Sequence, residues 1–199
     1  MHTTHPTLRR PLLGVRGLAV LALAVFAVAA CSDPFALKAQ YANVPFTYSL
    51  YAISGTTLVN APSALDLTTT SAVRVDGTLA FDVAFDFDGT GKIRIIPQRL
   101  VGASTTGGRT IGLQRLTGTY ESVLLAPVHG WVFDSVLTVL PGEVIGVRLT
   151  TAACAYQLST ETYAKLVVDT VKAGGLLVGR GVMNPNCGFA SFADGIPSK

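Results

Sequence analysis

An alternation of apolar and polar side chains with a period of two is the feature that most limits how this chain can fold. Residues 79–87, LAFDVAFDF, place leucine, phenylalanine and valine at odd positions and alanine and aspartate at even positions. This spacing predicts a half-buried β-strand, because successive side chains of a strand point to opposite sides. On this interpretation Asp82 and Asp86 are solvated on the open face of the sheet.

A turn and a second strand are predicted directly after this run. Residues 88–91, DGTG, are turn-forming types, and residues 92–101 continue as an antiparallel partner in which Pro97 indicates an edge or a bulge. The segment also resembles the opening of a calcium-binding loop. Because Pro97 stands where that loop requires a bidentate acid, turn formation explains these residues better and no metal site is predicted.

Similar short alternating runs recur along the chain, separated by clusters of glycine, proline, asparagine and threonine. They occupy residues 46–53, 72–75, 131–140, 144–150, 163–171 and 176–183. No stretch after residue 31 sustains the period of an amphipathic helix. The sequence therefore predicts an all-β domain over residues 43–199, folded as a single antiparallel β-sandwich or flattened barrel.

The N-terminal residues have the organisation of an export signal. Three arginines precede a run of 14 consecutive apolar or small residues at positions 17–30. A transmembrane helix needs about 20 apolar residues, so this run is too short to cross a membrane. Residues 1–30 are therefore predicted to be a signal peptide that is removed on export.

The end of this segment resembles the lipobox of bacterial lipoproteins. Val28, Ala29 and Ala30 are the aliphatic residue and the two small residues of that motif, and Cys31 is its cysteine. The resemblance implies cleavage before Cys31, a thioether-linked lipid on its sulfur, and residues 31–42 as a lipidated tether. We therefore expect a protein anchored in the bacterial cell envelope, facing the periplasm or the cell surface. The alternative is an ordinary signal peptide that leaves Cys31 as a free thiol.

Removal of the signal changes the charge of the chain. The whole sequence has 15 Lys and Arg against 12 Asp and Glu, and three of the arginines but none of the acids precede Cys31. The mature chain is therefore formally neutral. With no basic, aromatic-rich surface pattern left, we expect no nucleic-acid partner.

Two further cysteines lie on either side of a predicted hairpin that turns at Gly174. Strict antiparallel pairing about Gly174 puts Cys187 opposite Glu161. Cys154 can then reach Cys187 if residues 155–160 loop outward. Two cysteines in an exported chain most simply form a disulfide, which would contribute roughly 3 to 4 kcal/mol to stability. The alternative is a two-thiolate metal site, but the chain lacks the histidine or CxxC spacing that would recommend it.

No group of residues in the sequence predicts catalysis. His129 is the only histidine after Cys31, so a serine triad would need it as the base, and no serine lies in a G-x-S-x-G segment. Glycoside hydrolysis would need two facing carboxylates, whereas Asp82 and Asp86 follow one another along one strand. We therefore expect that this protein is not an enzyme.

Two segments resemble the HmuY-like haem-binding lipoproteins. Residues 80–95, AFDVAFDFDGTGKIRI, are similar to the W-D-I-A-F strand and following hairpin of that family, with Phe81 where the family usually has tryptophan. Residues 163–171, YAKLVVDTV, resemble its late Y-x-K-L strand. The resemblance spans roughly residues 80–183 and implies an all-β fold. It also implies haem held by two axial side chains, a pair that cannot be aligned here.

If haem is bound, His129 and Met183 are the strongest axial candidates, because imidazole and thioether groups are common haem ligands. Trp131, in the segment APVHGW, would cover a porphyrin face beside His129. The alternatives are a simple turn at His129 and core packing for Met183. We expect a non-catalytic binding module for haem or another apolar, planar ligand. The alternative is a structural lipoprotein that contacts an envelope protein and binds no small molecule.

Overall fold

A computed structural model describes residues 38–55, 57–76, 81–102, 109–157 and 159–197. The strands of this part of the chain form two antiparallel sheets that pack face to face as a β-sandwich. The two sheets do not close into a barrel, so the sandwich is the correct one of the two predicted architectures. The predicted signal peptide and Cys31 lie outside the described residues.

The larger sheet has six strands and the smaller sheet has five. The strands are β1 (Val44–Tyr51), β2 (Ala64–Asp66), β3 (Ser71–Val73), β4 (Val83–Phe87), β5 (Ile93–Pro97), β6 (Ile111–Leu116), β7 (Val132–Phe133), β8 (Leu137–Val139), β9 (Val144–Thr150), β10 (Glu161–Lys172) and β11 (Leu176–Asn184). Their spatial orders are β1-β11-β10-β9-β6-β7 and β3-β2-β4-β5-β8. Two short 3-10 helices, Gln98–Leu100 and Ala152–Cys154, lie between strands. No helix in the described ranges is long and apolar enough to cross a bilayer.

The hairpin predicted from the alternating run is confirmed. β4 pairs with β5 in antiparallel register, and the Asp88 carboxylate accepts hydrogen bonds from the backbone N–H groups of Thr90 and Lys92 at 2.8 and 2.9 Å. β5 ends at Pro97, whereas its pairing with β8 ends two residues earlier, at Ile95. The missing N–H of Pro97 therefore costs no hydrogen bond to β8.

The run at residues 131–140 is not one strand, and that prediction was wrong. It divides into β7, in the larger sheet, and β8, in the smaller sheet. Between them Asp134 has a φ of 49°, a left-handed conformation that interrupts an extended chain. The Asp134 carboxylate lies 2.9 Å from the Arg99 guanidinium, which helps hold this crossing between the sheets.

The main core lies between the inner faces of the two sheets. It contains Leu50 and Tyr48 from β1, Phe85 from β4 and Leu166 from β10, among other fully buried side chains. The Tyr48 hydroxyl donates to the Val167 carbonyl at 2.9 Å, and burial raises the pKa of this phenol above its usual range. A Cβ on Gly179 would lie 2.5 Å from the Tyr48 ring, so this strand position needs glycine.

A second, smaller cluster covers the outer face of the larger sheet, the face directed away from the main core. We call it the outer cluster, and its buried members are Leu116, Val123, Ala126, Val144, Val182 and Phe192. Strand alternation explains the division, because Val182 faces the outer cluster while its neighbour Met183 faces the main core. The outer cluster is closed by residues 117–128, the outer loop, and by residues 189–192.

The two aspartates of the alternating run are buried, so the prediction that they are solvated was wrong. Asp82 is 0% exposed, with one carboxylate oxygen 2.7 Å from Arg109 and the other accepting the Leu67 N–H at 2.7 Å. Burial raises the pKa of Asp82, although the adjacent guanidinium opposes the shift. Asp86 accepts hydrogen bonds from the hydroxyl and the N–H of Ser54. These partners compensate for burial, and a strand pattern does not show them.

Cys154 and Cys187 form a disulfide, as the sequence predicted. β10 and β11 pair near their turn in the predicted register, and a bulge between Val168 and Thr170 then shifts it by one residue. The Gly188 N–H donates to the Glu161 carbonyl at 2.7 Å, which fixes the chain next to the crosslink. The bridge therefore joins the segments that follow β9 and β11 at one end of the larger sheet.

The chain enters the domain through a buried amide network at the same end, which we call the entry clamp (Asn43, Asn184 and Asn186). The Asn186 side chain accepts the N–H groups of Gln40 and Tyr41 at 2.8 and 3.0 Å and donates to the Tyr41 carbonyl. Asn43 donates through its own N–H to the Gly195 carbonyl at 2.9 Å. The last residues of the predicted tether are therefore hydrogen bonded to the domain from Gln40 onward.

Candidate functional site

A groove of about 500 Å³ lies on the outer face of the larger sheet, between β6 and the outer loop. Its lining combines a strand floor with a loop wall and is made by residues 114–117 and 122–127. Leu124, Leu125 and Val128 on the rim are more than half exposed. Exposed aliphatic side chains beside a concave surface are typical of a binding site.

A buried lysine holds the wall of this groove in place. Lys165, on β10, is 3% exposed, and its ammonium donates to the carbonyls of Tyr120 at 2.5 Å and Val123 at 2.8 Å. The same group lies 4.3 Å from the centre of the Tyr120 ring, within cation–π range. Burial lowers the pKa of Lys165. The charge is thus compensated by loop carbonyls and aromatic rings, and this fastens the outer loop to the sheet.

Tyr120 receives a second cation from the neighbouring strand. The Arg180 guanidinium, on β11, lies 4.5 Å from the centre of its ring and 3.0 Å from the Glu121 carboxylate. Partial burial raises the pKa of Tyr120 to about 12. Both the ring and the adjacent acid of the outer loop are therefore tied to the outer face of the larger sheet.

Backbone hydrogen bonds complete the wall. The Ala126 N–H donates to the Ala190 carbonyl at 2.8 Å, and the Phe192 N–H donates to the Leu124 carbonyl at 2.8 Å. Leu125 and Ser191 form an antiparallel bridge between these two bonds. The wall is thus a short antiparallel ladder and not an unsupported loop, which gives the groove a defined shape.

His129 and Trp131 follow the wall directly. The Trp131 indole N–H donates to the Pro127 carbonyl at 2.9 Å, and its ring lies 5.9 Å from that of Tyr163. A Cβ on Gly146 would lie 2.9 Å from the indole, so the ring rests on bare backbone of β9. Trp131 is therefore a packing residue of the outer cluster. His129 is exposed at the end of the wall, two residues from Pro127 of the groove lining.

Met183 lies on the other side of the larger sheet. Its side chain is buried in the main core, and it pairs across the sheet with Val44 and Ala164. The structure therefore brings His129 and Trp131 together but separates both from Met183 by the thickness of a sheet. Core packing, the alternative given for Met183, describes its position.

Two buried polar atoms near the groove have no hydrogen-bond partner within the described residues. They are the side-chain oxygen of Gln114, which belongs to the groove lining, and the Nε of Arg148. Arg148 pairs with Glu161 and lies 5.5 Å from the centre of the Phe133 ring. Both atoms are buried, so neither is presented to a ligand at the surface of the groove.

Comparisons of this chain with protein-family models, with curated proteins and with solved structures find no significant match. The resemblances to the lipobox and to HmuY-like proteins stay predictions from the sequence.

Sequence reasoning missed most of the groove. The groove-lining segments contain no sequence motif of a binding or catalytic site, and residues 124–127, LLAP, are typical of an ordinary apolar loop. The nearest available signal was the APVHGW segment, which begins in the wall and continues to His129 and Trp131. Lys165 was part of the quoted Y-x-K-L pattern, but its burial depends on carbonyls more than 40 residues away.

Proposed function

We propose that this chain is a lipid-anchored envelope protein, exported by residues 1–30 and attached through Cys31, whose all-β domain is a non-catalytic binding module. The groove on the outer face is the binding site. The observation that carries this proposal is the groove of about 500 Å³ with its rim of exposed aliphatic side chains. A soluble β-sandwich gains nothing in stability from leaving such side chains exposed.

The ligand class that fits this surface is apolar, because the exposed side chains of the rim are aliphatic. Haem is the specific candidate, since the His129 side chain is exposed at the end of the wall and is not buried in a core. His129 is then the side chain that would bind the haem iron, because Met183, the other candidate, is directed into the main core.

Haem titration of the purified protein tests this ligand. We expect a saturable shift of the Soret band that His129→Ala removes. Lys92→Ala, an exposed turn residue on the smaller sheet, serves as the matched control and should bind as the wild type does. Absence of a saturable shift at micromolar protein, or a shift that His129→Ala leaves unchanged, excludes the haem assignment.

A protein partner is the second candidate, and the openness of the rim favours it. Leu124 and Leu125 are exposed on the surface of the wall and not directed into a closed cavity. Crosslinking in solubilised envelope should then give an adduct that Leu124→Asp and Leu125→Asp abolish. The same adduct should persist in Val59→Asp, because Val59 is even more exposed, at 98%, but lies in a different loop.

The anchor is tested on the processed protein. We expect an intact mass that starts at Cys31 and includes the lipid, and Cys31→Ala should give an uncleaved or soluble form. An unmodified Cys31 in membrane-associated protein would falsify the proposed anchoring.

A further inference from the structure

Exposed apolar side chains surround the point where the chain enters the domain. Tyr41 and Val44 lie on either side of Asn43 of the entry clamp, and Ile196 follows Gly195, whose carbonyl accepts the Asn43 N–H. Tyr156 is 100% exposed and lies two residues after Cys154, which is bonded to Cys187 beside the clamp. Two tyrosines and two aliphatic residues are thus placed at one end of the sandwich. We call them the end patch.

The topology places the end patch at the beginning of β1 and the end of β11. Val44 pairs with Met183, whereas the far ends of the same strands, Tyr51 and Leu176, pair with each other. The next turn after β1 carries Val59, which is 98% exposed. Because β1 spans eight residues, these two ends of the larger sheet are about 25 Å apart.

The length of the chain between Cys31 and the clamp limits which apolar surface can cover the end patch. Gln40, where the clamp begins, is nine positions after Cys31, so the clamp lies within roughly 30 Å of any lipid attached to Cys31. Tyrosine with its apolar body and polar hydroxyl is a favoured residue at a membrane interface, and exposed aliphatic residues add apolar area there. A bilayer is the apolar surface that the tether itself would bring to this end of the domain.

We propose that the end patch is a membrane-contact surface that rests in the interfacial region of the bilayer carrying the lipid anchor. This inference depends on the proposed anchoring and is independent of what the groove binds. The contact stands the domain on its clamp end, with the Val59 turn directed away from the membrane. Lys38 and Asp194 are both exposed at the clamp end and have opposite charges, so the contact is expected to be insensitive to lipid headgroup charge.

Depth-dependent quenching in vesicles tests the inference on the lipidated mature protein. Tyr156→Trp and the matched control Val59→Trp each add a tryptophan at a fully exposed site, and the signal of the native Trp131 is measured separately in the wild type. With brominated phosphatidylcholine we expect the added emission of Tyr156→Trp to fall at least twofold and that of Val59→Trp to stay unchanged. Vesicles with added phosphatidylglycerol should give the same difference.

Hydrogen exchange of the unsubstituted protein removes the effect of tryptophan's own preference for interfaces. Exchange at residues 152–157 should slow severalfold on vesicles compared with detergent, while exchange at residues 57–61 should not. Equal quenching at both positions, or no quenching at Tyr156→Trp in protein that floats with the vesicles, overturns the membrane contact and leaves the anchor intact. Protein that does not float overturns the anchor and this inference with it.

Discussion

The two faces of the larger sheet are stabilised in different ways. On the inner face, Leu166 is buried among apolar side chains of the main core. On the outer face of the same strand, the adjacent residue Lys165 is buried by a loop whose carbonyls and aromatic ring surround its ammonium. One face is closed by a second sheet through apolar packing, and the other by a loop that combines the smaller outer cluster with a few polar contacts.

This difference assigns separate roles to the two faces. Apolar packing between sheets is spread over many side chains, so it supplies the stability of the fold. The outer loop is held by a smaller apolar cluster and by a small number of directional bonds, so losing one of these bonds should affect the loop more than the sandwich. The groove lies on the face with the smaller apolar cluster. Neighbouring residues on β10 therefore allow direct tests of the comparison.

The largest effect is expected on the inner face. Leu166→Ala should lower the free energy of unfolding by about 2 to 5 kcal/mol, because it leaves a cavity in the main core. Urea unfolding followed by far-ultraviolet circular dichroism measures this loss. A change below 1 kcal/mol would mean that the main core does not carry the stability of the fold.

A smaller loss with a local signature is expected on the outer face. Lys165→Met removes the donor to the carbonyls of Tyr120 and Val123 and should cost about 1 to 3 kcal/mol. Because the Trp131 indole bonds to Pro127 of the wall, its emission should shift toward the red in the folded variant. Leu166→Ala is the control for this readout. If its folded state shifts Trp131 equally, the two faces are not independent.

The pH dependence of the Lys165→Met effect is a finer test. Burial lowers the pKa of Lys165 in the folded state, so the unfolded chain holds this proton to higher pH than the folded chain does. The sign of the linkage follows, and the stability of the wild type relative to the variant should rise as the pH increases toward the ordinary lysine pKa of 10.5. Paired urea titrations between neutral pH and that value measure the trend. A constant or falling difference would contradict it.

The smallest effect is expected on the groove rim. Leu125→Ser should change the free energy of unfolding by no more than about 0.5 kcal/mol, since the side chain is already largely exposed. The same substitution should weaken whatever binding the groove supports. A large loss of stability would mean that the rim is a structural element and not a binding surface.

The sequence predicted the strands whose two faces differ clearly. β9 has the predicted bounds, and the hairpin of β10 and β11 and its disulfide were also predicted, because alternation and cysteine spacing are local signals. β6 was missed, since its outward positions include Gly112 and Leu116 and the polar contrast is weak. β2 was missed because its successive residues Ala64 and Leu65 are both apolar and show no alternation.

Buried polar groups were the main failure of prediction. Asp82 and Lys165 have the spacing of solvated side chains, yet distant partners bury both. The Arg109 that pairs with Asp82 is 27 residues away in sequence. A periodic pattern in the sequence does not show contacts between distant residues. The groove wall depends on one such contact, that of Lys165 with the outer loop. The sequence therefore offered only the neighbourhood of His129 as a candidate binding region, and that stays a prediction.

The entry clamp also determines how the domain responds to force. A pull on the chain ahead of Gln40 first strains the hydrogen bonds made by the Asn186 side chain. The next residue, Cys187, is covalently joined to Cys154. If the clamp gives way, a pull along the axis of β1 loads its eight residue pairs with β11 in shear, so that they do not open one by one. A pull in that direction is therefore resisted by the whole length of the strand.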